Sequence, residues 1–138
     1  MRQPSDVKIL IIDDSKTIRR TAEVLLKKEQ FVVETAEDGF EALPKLIQYE
    51  PHLIFVDVMM PRLDGYQTCS LIKNNPKFRN VPVIMLSSKD GLFDKAKGKI
   101  VGASEYVTKP FTKDELLSVI GRSFPDLQVS SEPNQEEA

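Results

Sequence analysis

Five short apolar runs divide the chain, at residues 7–12, 31–36, 53–58, 81–86 and 105–108. The central one is the most informative: Leu53, Ile54, Phe55 and Val56 lead without interruption into Asp57, between Pro51 and Pro61. An unbroken apolar run of strand length between breakers predicts a strand buried on both faces. The first run is interrupted only by Lys8, the second is rich in β-branched residues, and the fourth carries Pro82 near its start, where a strand tolerates proline. Between the runs the apolar spacing becomes helical. Ile18, Ala22, Leu25 and Leu26 mark one face; Ala42, Leu43, Leu46 and Ile47 mark the next, opened by Asp38-Gly39. A third helix is predicted over about residues 64–74, and a fourth around Phe93, Ala96 and Ile100, weakened by Gly98. The last carries Leu116, Val119 and Ile120 behind a capping box of Thr112 and Glu115. Pro44 lies past the first turn of the second helix and is expected to kink it or delay its regular part.

Strands alternating with helices predict an α/β, doubly wound fold, a parallel sheet covered on both faces. Each large apolar strand side chain buried there contributes roughly 1.5–3 kcal/mol. In such sheets ligands bind at the carboxyl edge of the strands. The residues at those ends are Asp13 and Asp14, Asp57, Ser87 and Lys109. Neighbouring central strands bring the three carboxylates together, an unfavourable arrangement unless something neutralises them. Mg²⁺ suits such a set, since it takes carboxylate oxygens, keeps water and accepts phosphate oxygens. An aspartate can attack phosphorus, and the Lys109 ammonium with the Ser87 hydroxyl would stabilise the charge that develops.

Charge and composition narrow the classes. The chain carries a net −2, with four acids and no base among residues 123–138, so the body has a weak positive balance. That field does not argue for nucleic acid. One cysteine excludes an intrachain disulfide and a thiolate metal cluster. No apolar run approaches the ~18 residues of a membrane span, and no signal-peptide core is visible at the start. Residues 1–6 are expected to be flexible, 7–124 to form the domain, and 125–138 to be an acidic disordered tail.

The motifs Ile12-Asp13-Asp14-Ser15, Val56-Asp57-Val58-Met59-Met60-Pro61 with Asp64-Gly65, Met85-Leu86-Ser87-Ser88, and Tyr106-Val107-Thr108-Lys109-Pro110-Phe111 resemble those of response-regulator receiver domains, the family of the chemotaxis protein CheY. The resemblance covers residues 7–124 and implies a flavodoxin-like (βα)5 fold with strand order 2-1-3-4-5. It implies Asp57 as phosphoacceptor. Asp13, Asp14 and Asp57, with the Met59 backbone carbonyl, would hold Mg²⁺. Lys109 would contact the phosphoryl group, and Ser87 and Tyr106 would form the switch pair. Residues 15–23, 61–69 and 87–98 look like the stand-alone receivers of chemotaxis-like systems that control type IV pili. The implied partners are a CheA-like histidine kinase or its phosphotransfer domains and a downstream pilus-control protein. A cytoplasmic monomer without membrane insertion is expected. Met59 and Lys89 occupy positions that tune dephosphorylation in the family, so phosphate lifetime does not transfer from CheY.

Three alternatives differ in what they need. A flagellar chemotaxis receiver would share every motif. A magnesium-dependent phosphohydrolase would share the aspartate nucleophile, but Met59 stands where its acid/base would follow Asp57, and no cap segment is visible. A transcription factor would need a DNA-binding domain, whereas the 14 residues after Phe124 are acidic. No enzyme activity on an external substrate is expected. Cys69 and His52, each alone, read as structural, and Tyr66 has no assignable role.

Overall fold

The computed structural model describes residues 2–88 and 94–127. Five strands, β1 (Lys8–Ile12), β2 (Val32–Ala36), β3 (Leu53–Asp57), β4 (Val83–Ser88) and β5 (Glu105–Lys109), form one parallel sheet in the order β2-β1-β3-β4-β5. They alternate with α1 (Lys16–Lys28), α2 (Gly39–Tyr49), α3 (Gly65–Asn74), α4 (Lys95–Val101) and α5 (Lys113–Ser123). The apolar runs explain the layering. Ile9 and Ile11 of β1 face a core shared with Leu26 of α1 and Leu116, Val119 and Ile120 of α5. Leu10 and Ile12 point the other way, toward Ala42 and Leu46 of α2 and Cys69 and Ile72 of α3. A strand alternates its side chains between faces, so an unbroken apolar strand serves two cores at once.

The predicted caps form. Thr112 Oγ1 accepts the Glu115 amide at 3.1 Å, and the Glu115 carboxylate accepts the Thr112 amide at 2.8 Å. β4 begins at Val83 rather than 81, because Pro82 has no N–H and the Val81 amide donates to Phe78 O instead. Pro44 does not delay α2, which starts directly after its Asp38 cap and runs through to Tyr49. Pro44 and Phe40, whose carbonyl a residue-44 amide would otherwise meet, are both exposed, so the missing bond falls on the solvent side of the helix.

Three expected core positions are corrected. Ile47 is 63% exposed, Ile100 is 84% exposed, and Ala96 is exposed. Helical spacing alone made the apolar arcs of α2 and α4 too wide. Phe93 and Lys89 lie outside the described residues. The described residues near the two ends make contacts that composition does not announce. Pro4–Asp6 forms a 3-10 turn, and Arg2 is tied to the far end of the domain. Its amide donates to Asp126 O at 3.2 Å, and its guanidinium lies 3.5 Å from the Asp126 carboxylate and 4.7 Å from the Phe124 ring centroid. Leu127 and Phe124 pack against the core on the α1 and α5 side. The remainder of the expected tail, 128–138, lies outside the described residues.

Candidate functional site

β1 and β3 are adjacent, and both end in acids. Asp13 is fully buried and Asp57 is 4% exposed, while Asp14 is exposed. One carboxylate oxygen from each lies within 4.8 Å of the others. Lys109, at the end of β5, reaches across: its Nζ donates to Asp13 Oδ2 and to Asp57 Oδ1, each at 3.1 Å. The loops complete the anchoring. Asp13 Oδ1 accepts the Ser15 amide at 2.8 Å, and Asp57 Oδ1 accepts the Met59 amide at 3.2 Å. Both aspartates thus accept an amide two residues onward, which fixes their rotamers.

One ammonium faces three carboxylates, and the balance shows in the acid itself. Burial pushes the Asp57 carboxyl up, and the charge of Asp13 pushes it further. Lys109 opposes both, by charge and by hydrogen bond, while Asp14 adds to the rise; the result is about 7. For Lys109, burial favours the neutral amine, yet Asp13 and Asp57 outweigh it and hold the ammonium above its usual range. The site is therefore deficient in positive charge. Its donors are all carboxylate oxygens, the ligand set that hard cations of the Mg²⁺ kind prefer.

Residues 9–121 match the response regulator receiver domain. The chain belongs to that family. It is 66% identical to the protein PilG of Pseudomonas aeruginosa over 126 residues, covering 91% of this chain and 93% of PilG. Among solved structures it is similar to chemotaxis protein CheY4 of Vibrio cholerae, with 33% identity, a TM-score of 0.81, and coverage of 86% of this chain and 98% of that one. It is also similar to the signal receiver domain of a histidine kinase from Syntrophus aciditrophicus, at 30% identity and a TM-score of 0.77, covering 94% and 98%. The flavodoxin-like strand order expected from the motifs is the one observed.

The other residues singled out in the sequence are placed as follows. Ser87 is buried one step past Leu86, the β4 partner of Asp57, and its hydroxyl donates to Ser88 O at 3.3 Å. Met59, whose amide bonds Asp57 Oδ1, is 68% exposed. Tyr106 stands apart, exposed on β5 with the Lys95 ammonium 5.2 Å from its ring centroid. It lines a groove of about 370 Å³ with Lys95, Gly98, Lys99, Ser104 and Glu105.

Two contributors escaped the sequence reading. Arg19, about one turn into α1, donates from Nη1 to the Asp13 carbonyl at 2.7 Å and secures the β1–α1 loop. Nothing in its spacing signals that contact, which depends on where α1 turns back. Gly65 is the other. Its amide donates to Val58 O at 2.9 Å, and a Cβ there would clash with the Asp57 carbonyl oxygen. The Asp64-Gly65 pair pointed to a motif, but the close approach needed the fold. No described helix is long and apolar enough to cross a membrane.

Proposed function

We propose that this receiver accepts a phosphoryl group on Asp57 from a CheA-like histidine kinase or its phosphotransfer domains, and that the product changes partner binding to control type IV pilus twitching motility. The observation that carries the chemistry is the Lys109 ammonium held equally by Asp13 and Asp57 at the carboxyl edge. The likeness to PilG supports the pilus assignment over a flagellar one. We assign the receiver unit to residues 7–124, a span that the matched 9–121 supports, and we place the chain in the cytoplasm, where the proposed kinase would act on it.

A carboxylate oxygen of Asp57 attacks phosphorus. The new O–P bond forms as the P–N bond to the donor imidazole breaks, and the imidazole leaves with the bonding pair. Asp13, Asp14, Asp57 and the Met59 carbonyl would hold Mg²⁺, which when bound supplies charge stabilisation at the phosphoryl oxygens. Lys109 already sits on the acceptor oxygen and follows the phosphoryl group. Ser87 exchanges its bond to Ser88 O for one to the phosphoryl group, and the space it vacates lets Tyr106 turn inward. The receiver takes part only in its own phosphorylation and dephosphorylation.

The test is incubation with a small acyl phosphate donor and Mg²⁺, read by intact mass. The wild-type chain should gain one phosphoryl group and Asp57→Asn none. Equal gain in both proteins, or turnover of a generic phosphoester, would contradict the assignment.

A further inference from the structure

Tyr66, in the first turn of α3, is buried and makes a specific polar contact. Its phenolic oxygen accepts the backbone amide of Asp94 at 2.8 Å. Asp94 is the cap of α4, its carboxylate accepting the Lys97 amide at 3.0 Å. The Lys97 ammonium lies 4.7 Å from the centroid of the Tyr66 ring. One turn further along α3, the Cys69 thiol donates to Val101 O at 3.4 Å. One more turn along, the Lys73 stem lies against Gly102, the left-handed residue that ends α4. Positions 66, 69 and 73 share one face of a helix. That face holds α4 at its N-cap residue and at its last residue.

Beyond this face α4 has the packing of Val101 against the core and the Lys95 ammonium over the Tyr106 ring. Ala96 and Ile100 are exposed, and Gly98 is its one buried residue among those described. The other end of this connection is closely packed. Gly65, the residue before Tyr66, is pressed on the Asp57 carbonyl and bonded to Val58 O. A shift of the acceptor strand end must therefore move the first turn of α3.

We propose that Tyr66 is a positioning residue that clamps the cap of α4 to the first turn of α3, so that a change at Asp57 reaches α4 through Gly65 and Tyr66 as well as through Ser87 and Tyr106. The activation step of this proposal rests on the phosphoacceptor reading above. The clamp itself does not.

Tyr66→Phe keeps the ring and removes the acceptor, leaving the Asp94 amide without its partner. Amide exchange over 95–102 should accelerate about 5-fold in the unphosphorylated protein, the loss of one hydrogen bond. The change that beryllofluoride with Mg²⁺ induces in the same amides should shrink to under half of the wild-type change, because α4 is already released. Lys97→Met, a surface change that leaves the fold intact, should accelerate the same amides about 2-fold. Phosphoryl uptake, read by intact mass, should be unchanged in both variants. Unaltered exchange over 95–102 in both variants would overturn the clamp. Equal acceleration with and without beryllofluoride would make Tyr66 merely structural and overturn the coupling. A loss of phosphoryl uptake in Tyr66→Phe would place Tyr66 in the pocket instead. If the wild-type chain takes up no phosphoryl group, the phosphoacceptor reading fails while the exchange in the resting protein still tests the clamp.

Discussion

Asp57 carries the balance of the whole site in one ionisation. Its carboxyl is raised from 3.8 to about 7 by burial and by Asp13, against the pull of Lys109. Between those values the folded chain holds a proton that the unfolded chain has lost, so stability falls as pH rises through the window. Without metal, Asp57→Asn should match wild type near pH 4 and exceed it by about 1–3 kcal/mol at pH 8, measured by urea unfolding in a chelator. An advantage that does not grow with pH would contradict the charge balance. Mg²⁺ should narrow the gap by stabilising the wild-type chain alone. Replacing Asp14 with Ala should weaken Mg²⁺ binding by at least about tenfold and slow phosphorylation with it, as titration calorimetry and mass would show. Unchanged affinity in both Asp13→Ala and Asp14→Ala would remove the metal assignment. All of the acids were legible in the sequence, because each ends an apolar run. Arg19 and Tyr66 were not, because their contacts are made by backbone and side-chain groups brought together only by folding.

At the scale of elements, strands were read better than helices. A fully buried strand announces itself by composition, and its neighbours change only where it starts and ends; Pro82 accounts for the later start of β4. Helical periodicity says that a face is buried without saying how wide it is, and so Ile47 and Ile100 were misplaced. The correction has a functional side. An α4 with Ile100 and Ala96 outside is held mainly at its two ends, the condition for a helix that moves as a unit. Ser87→Ala should leave phosphorylation intact and reduce the beryllofluoride-induced change in amide exchange over 94–106, with most of the sheet unaffected. A wild-type response confined to the acidic pocket would show that α4 and Tyr106 are not the output surface.

The whole molecule gathers its acidic pocket at the carboxyl edge of one sheet, and Arg2 meets residues 124–127 away from it. Composition suggested loose ends over residues 1–6 and 125–138, which are mostly polar. The structure pairs them, with Arg2 against Asp126 and Phe124 and with Leu127 on the core. Truncation after Asp126 should therefore cost roughly 1 kcal/mol through Leu127, and Arg2→Ala at most about 1 kcal/mol, since its ion pair is exposed. Both should leave phosphorylation unchanged, because the clasp lies at the far end of the sheet from Asp57; a melting temperature identical to wild type in both would show that the ends contribute nothing. The central claim is that Asp57 is the reactive carboxylate. Its most direct test is a peptide map of the chain after treatment with an acyl phosphate and Mg²⁺. A single phosphoryl group on the peptide containing Asp57, lost on exposure to hydroxylamine, is the expected result, and a hydroxylamine-stable phosphate on Ser87 or Ser88 would contradict it.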